Sequence, residues 1–179
     1  MKQKIIALLL TFSALLTFAS SVVHAEDKAT PVKSKYVISS DSSFAPFVFQ
    51  DNNNQYTGID MDLIKAIAKD QGFNITIKNP GFDVALNDVQ TGHADGMIAG
   101  MTVTDARKKT FDFSDSYYSA NSILAVAKSS TISSYEDLKG KTVGVKNGTS
   151  SQTFLTDNQK KYGYKIKTFS DGASLYDSL

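Results

Sequence analysis

One arginine, Arg107, stands among the 19 lysine and arginine side chains of this 179-residue sequence. Where lysine is so favoured, a retained guanidinium suggests a task that a point charge does poorly: bidentate recognition of a planar carboxylate or phosphate. It closes the stretch Ala99-Gly100-Met101-Thr102-Val103-Thr104-Asp105-Ala106-Arg107, after a short apolar strand and on the first turn of a helix. Unsatisfied backbone N–H groups face an anion there as well. The alternative is a surface arginine paired with Asp112 or Asp115. Aromatic residues beside strand ends form a second constellation. Phe44 and Phe47 lie in Asp41-Ser42-Ser43-Phe44-Ala45-Pro46-Phe47, and Phe82 lies in the turn Asn79-Pro80-Gly81-Phe82. Two such rings can hold the aliphatic stem of a small ligand while polar groups fix its ends. Phe47 is assigned to the core; for Phe44 and Phe82, core packing and ligand contact both stand.

A third stretch, Val145-Lys146-Asn147-Gly148-Thr149-Ser150-Ser151, reads as a strand, a glycine turn and a helix start that offers N–H groups to an anion. It lacks the Gly-Lys-Ser/Thr ending of a P-loop and the three-glycine dinucleotide pattern, so a small carboxylate or carbonyl fits better than a nucleotide. No acid pair, His–Ser set or nucleophile elbow stands out, and nothing supports catalysis. The sequence has no cysteine and two histidines, His24 and His93, so neither a metal site nor a cofactor is expected. With 41% apolar and 21% charged residues the composition is that of a globular protein, and a net charge of +1 without a basic block argues against nucleic acid.

Lys2 and Lys4 precede the apolar run Ile5 to Ala19, and Val23-His24-Ala25 supplies a small-residue cleavage site. Residues 1–25 are therefore expected to be a signal peptide. An uncleaved anchor is the alternative, weakened by Thr11, Ser13 and Thr17. Residues 26–35 read as a polar tether.

The elements that must position the candidate residues follow in alternation. Tyr36 to Ser40 is a strand; Asp60 to Gln71 is an amphipathic helix with Leu63, Ile64, Ile67 and Ala68 on one face and Gly72 as its stop. Phe73 to Lys78 alternates as a strand, Val84 to Thr91 is a helix closed by Gly92, and Asp95 to Ala99 is a short buried strand. Asp105 to Lys109 begins a helix behind Thr104 as N-cap. Ser122 to Lys128 is a strand, Tyr135 to Lys139 one helical turn, and Thr142 to Val145 a strand. Ser151 to Lys161 is a helix, Tyr164 to Phe169 a strand, and Ala173 to Leu179 the start of a helix. Strands alternating with helices give an α/β fold with mostly parallel sheets, whose ligands sit at the carboxyl ends of strands.

Across Tyr36 to Leu179 the chain resembles the extracytoplasmic solute-binding proteins of polar amino-acid ABC importers, and among them the glutamine-binding group. The resemblance is carried by Asp41-Ser-Ser-Phe44-Ala-Pro-Phe47, Tyr56-Thr-Gly58-Ile-Asp60-Met-Asp62-Leu63, Ala99-Gly100-Met101-Thr102 through Arg107-Lys108-Lys109, Phe111-Asp112-Phe113-Ser114-Asp115-Ser-Tyr117-Tyr118 and Gly144-Val145-Lys146-Asn-Gly148-Thr149. It implies a type II periplasmic-binding-protein fold: lobe 1 over residues 36–116, a hinge strand of Tyr117, Tyr118, Ser119, Ala120 and Asn121, and a partial lobe 2 over residues 122–179. It further implies that Arg107 takes a ligand α-carboxylate with Thr102 and the Ser150 amide, and that the Gly100 carbonyl takes the α-ammonium. Phe44 and Phe82 would sandwich the side-chain stem, Asp41 would bind near its amide or order the site, and Lys146 would contact its carbonyl. Serine where the family often has glycine at position 150 leaves a backbone contact in place.

The implied function is capture of a free polar L-amino acid, glutamine favoured, outside the cytoplasmic membrane, for delivery to permease subunits that are separate or fused. Ala-Gly-Met-Thr before the arginine resembles the glutamine group more than the histidine or lysine/arginine group. Readings from other classes are a same-fold enzyme resembling cyclohexadienyl dehydratase and the sensing module of a membrane receptor. By the same resemblance, the chain is expected to stop inside its second lobe, short of the return crossing that completes the first.

Overall fold

The computed structural model describes residues 33–179; the expected signal peptide and most of the tether lie outside the described residues. Three parallel strands form the first sheet, with β1 (Lys35–Ser39) between β4 (Asn74–Lys78) and β5 (Gly96–Met97). Tyr36 pairs with Ile75 and Ile38 with Ile77 on one side, and Ile38 with Gly96 on the other. Because all three strands run the same way, their C-terminal ends share one edge, where Asp41, the turn before Phe82, and Gly100 emerge. β5 is shorter than expected because β1 ends at Ser39 and offers no further ladder partner.

Helix α1 (Ile59–Asp70) starts at Gly58, carries Asp60 and Asp62 in its first turn, and buries Met61 and Ala68. Acids suit the positive end of a helix, and Gly72, at φ +70°, stops it as expected. Helix α2 (Phe82–Gln90) begins earlier than the sequence suggested. Phe82 is its first residue and is buried, so this ring is not in a turn. A two-stranded antiparallel hairpin of β2 (Phe49–Gln50) and β3 (Tyr56–Thr57) was not expected. The Asp51 carboxylate builds its turn by accepting the N–H groups of Asn53 and Gln55 at 2.8 and 2.9 Å.

The second sheet is a parallel pair, β6 (Thr142–Lys146) beside β7 (Lys165–Phe169). Between them runs α3 (Ser150–Tyr162), capped by the Thr149 hydroxyl and ended by Gly163 in the left-handed conformation. Helix α4 (Gly172–Asp177) follows, with Asp171 accepting the Ser174 N–H at 2.8 Å. Leu138, Val143, Val145, Leu155 and Tyr164 form the core here, and the Tyr164 hydroxyl donates to the Leu155 carbonyl at 2.6 Å.

Three further expected elements differ. Asp105 to Lys109 narrows to a single 3-10 turn, Arg107–Lys109, where the Thr104 hydroxyl accepts the Arg107 N–H at 3.2 Å. Ser122 to Lys128 and the expected hinge strand Tyr117 to Asn121 belong to no ladder, because among the described residues no strand lies beside them. Ile123 is accordingly 86% exposed.

Gly58 has φ +118°, and a Cβ there would lie 2.7 Å from the Pro46 carbonyl oxygen. Gly58→Ala should destabilise the protein by more than about 1 kcal/mol, seen as a lower denaturant midpoint at unchanged slope.

Candidate functional site

A groove of about 1970 Å³ runs along the strand-end edge, lined by Asp41, Phe44, Phe82, Gly100, Thr102, Arg107, Lys146 and Ser150. Ligand pockets usually span about 300–1,000 Å³. The excess arises because the space is open and extends past the strand-end edge, along Leu63, Ile64 and Ile67 of α1, the side of β5 and the unpaired segment that includes Tyr117 to Ala127.

Lys146, the last residue of β6, reaches across to the first sheet and donates to Oδ1 and Oδ2 of Asp41 at 2.6 and 2.5 Å and to the Ser43 carbonyl at 3.0 Å. Both side chains are buried, at 9% and 1% exposure. Asp41 Oδ1 also accepts the Ser42 N–H at 2.7 Å. The ammonium has three donors, and all are engaged. Asp41 and Lys146, expected to meet a ligand separately, thus meet each other.

The Arg107 guanidinium donates from Nη1 to the Thr102 carbonyl at 2.8 Å and from Nη2 to the Gly148 carbonyl at 3.0 Å. It stands 5.6 Å from the centre of the Phe82 ring. Burial lowers its pKa from the usual arginine value. Among the described residues no carboxylate pairs with it, so the Asp112 and Asp115 alternatives are not realised. Ser150 Oγ lies 3.4 Å from Thr102 Oγ1, bringing the positive end of α3 toward the same place. The geometry therefore gathers Thr102, Arg107, Ser150 and Phe82, with donors enough for an anion.

Phe44 stacks on Phe47 at 5.1 Å between ring centres; it is 40% exposed, whereas Phe47 is core as expected. Gly100, at φ +54°, lies against them, and a Cβ there would come within 2.7 Å of Phe44 Cε1. Only glycine combines that backbone with that approach.

Sequence reasoning missed Asp60, taken as a first-turn helix acid. It is fully buried, and it accepts the Gly100 N–H at 2.7 Å and the Tyr117 hydroxyl at 2.8 Å. Burial raises its pKa, and the two hydrogen bonds oppose that rise. Its place between the apolar Ile59 and Met61 was the available signal. Asn147 was missed as well; its Nδ2 donates to Asp83 Oδ2 at 3.0 Å, a second link from the β6 end to α2.

Removing one member of a buried pair strands the other. Lys146→Met should cost about 3–5 kcal/mol, and the double variant Asp41→Asn/Lys146→Met should recover part of it. Equilibrium unfolding checks both; equal destabilisation of single and double variants would count against the pair as the origin.

A family model for bacterial extracellular solute-binding proteins, family 3, matches residues 36–165. The arginine-binding extracellular protein ArtP of Bacillus subtilis (strain 168) is 35% identical over 161 residues, 89% of this chain and 63% of that protein. The Lactococcus lactis GlnP substrate binding domain 2, solved in open conformation, is 52% identical over 84% of this chain and 65% of its own, with a TM-score of 0.51. An ancestral arginine-binding protein bound to glutamine is 35% identical over 83% of this chain and 65% of its own, with a TM-score of 0.69. The chain thus spans less than two thirds of the length of these relatives. Among the described residues no helix is long and apolar enough to cross a membrane. The chain belongs to the bacterial extracellular solute-binding proteins, family 3, and has their type II periplasmic-binding-protein fold.

Proposed function

We propose that this chain forms the amino-acid-binding part of an exported solute-binding component, which captures a free polar L-amino acid and delivers it to an ABC permease, separate or fused. The observation that carries the reading is Arg107: a guanidinium lowered in pKa by burial, lining the groove, paired with no carboxylate among the described residues. A ligand α-carboxylate supplies the missing counter-ion. The Thr102 hydroxyl and the Ser150 N–H complete that end, for which no described group accepts the Ser150 N–H. In this reading the Gly100 carbonyl takes the α-ammonium, and Phe44 and Phe82 flank the stem.

Glutamine is the favoured ligand. The Asp41–Lys146 pair carries no net charge, which suits a neutral side chain such as a carboxamide and opposes a cationic one beside the ammonium. The ancestral arginine-binding relative solved with glutamine bound is a case in which a related site accepts this ligand. It also matches the present arrangement better than the open GlnP domain does, despite lower identity. That supports reading Asp41–Lys146, Asp83–Asn147 and Arg107–Gly148 as contacts of a ligand-embracing form. Tyr117 to Asn121 then serve as the hinge, and residues 36–116 and 122–179 as the two lobes. No chemical step is proposed at the site, in keeping with the binding name of the curated relative.

Calorimetric titration of L-amino acids should give saturable binding with glutamine ahead of glutamate and arginine. Arg107→Ala should lose about 2–5 kcal/mol of it, the range for truncating one member of a buried charge pair. Unchanged affinity in that variant would overturn the assignment.

A further inference from the structure

Asp60 holds a fully buried carboxylate with no cationic side chain paired to it among the described residues. Such a group is costly unless its oxygens are well used. Both are used: Oδ2 accepts the Gly100 N–H and Oδ1 the Tyr117 hydroxyl. The two donors come from segments with no ladder or helix of their own, one at the end of β5 and the other at the start of the unpaired stretch. Asp60 itself sits in the first turn of a 12-residue helix, and its own N–H donates to the Phe47 carbonyl at 3.0 Å. Phe47 carries the stacked Phe44 ring and also the Tyr118 ring, edge-on at 4.9 Å. One rigid helix end therefore ties together the aromatic wall, the left-handed Gly100 and the segment beginning at Tyr117.

We propose that Asp60 is a positioning residue for ligand binding: it clamps the Gly100–Thr102 loop and Tyr117 to α1, so that the loop and the Phe44 wall keep the spacing the ligand needs. The proposal rests on the reading of the groove as an amino-acid site. Tyr117 is the other half of the clamp: its hydroxyl donates to Asp60 and also lies beside the Gly100 backbone N–H. Removing its hydroxyl leaves a buried carboxylate oxygen unpaired and loosens the Gly100 contact. An asparagine at position 60 preserves the clamp, because its Oδ1 accepts the Gly100 N–H while the Tyr117 hydroxyl turns to accept from Nδ2.

The test uses the protein and its variants Asp60→Ala, Asp60→Asn and Tyr117→Phe, with two readouts: the Gly100 amide resonance without ligand, and the dissociation constant for L-glutamine. The Gly100 resonance should move in Tyr117→Phe as well as in both Asp60 variants. Asp60→Ala should weaken binding about tenfold, the cost of stranding buried partners, and Asp60→Asn should regain most of it. A Gly100 resonance indifferent to Tyr117→Phe, or wild-type affinity in Asp60→Ala, would overturn the clamp. Should Asp60→Ala fail to fold, Tyr117→Phe with Asp60→Asn decides: weakened binding in the first and near-normal binding in the second support the clamp, and equal affinities overturn it. A Gly100 resonance that moves in the variants, together with wild-type protein that takes up no amino acid, would overturn the reading of the groove and leave the structural clamp standing.

Discussion

The buried ion pair between Lys146 and Asp41 joins side chains 105 residues apart and fastens the end of one parallel sheet to the end of the other. Taking these charges out of water costs several kcal/mol each by order of magnitude, so the pair persists only where geometry is close and the remaining donors and acceptors are filled. That condition is met by bidentate contact, the Ser43 carbonyl and the Ser42 N–H. The more exposed links, Asn147 to Asp83 and Arg107 to the Gly148 carbonyl, then fall into place around it and contribute less.

This arrangement gives the groove an electrical direction. At one end, Arg107 and the positive end of α3 meet beside Thr102. At the other, Asp41 and Lys146 cancel. In the proposed function a zwitterion with a neutral, hydrogen-bonding side chain matches that gradient, and the Phe44 and Phe82 rings offer apolar surface to its stem. Parallel topology is the underlying cause. Strands that all end on one edge must deliver their following loops to one place, and both sheets do so here.

Much of this was legible from local pattern. Alternation in Asn74 to Lys78, the amphipathic face of α1 and the stop at Gly72 are properties of short windows, and they yielded elements within a residue or two. The lone arginine drew attention to a residue that lines the groove before any contact was known. What escaped depends on distant partners. Ser122 to Lys128 has strand composition, but a strand exists only where a neighbour takes its N–H groups, and none is beside it among the described residues. The mutual pairing of Asp41 and Lys146, and the burial of Asp60 against Gly100 and Tyr117, are set by packing across 105, 40 and 57 residues of sequence. No spacing rule reaches that far.

In the proposed function the Arg107 end of the groove binds the α-carboxylate of a free amino acid. Its most direct test leaves the protein untouched and alters the ligand: calorimetric titration with L-glutamine beside L-glutamine α-amide, identical except that the carboxylate is replaced by a neutral amide. L-Glutamine should bind saturably and the amide at least about a hundredfold more weakly, since a half-buried guanidinium is left without its counter-ion. Equal affinity for the two ligands would contradict it.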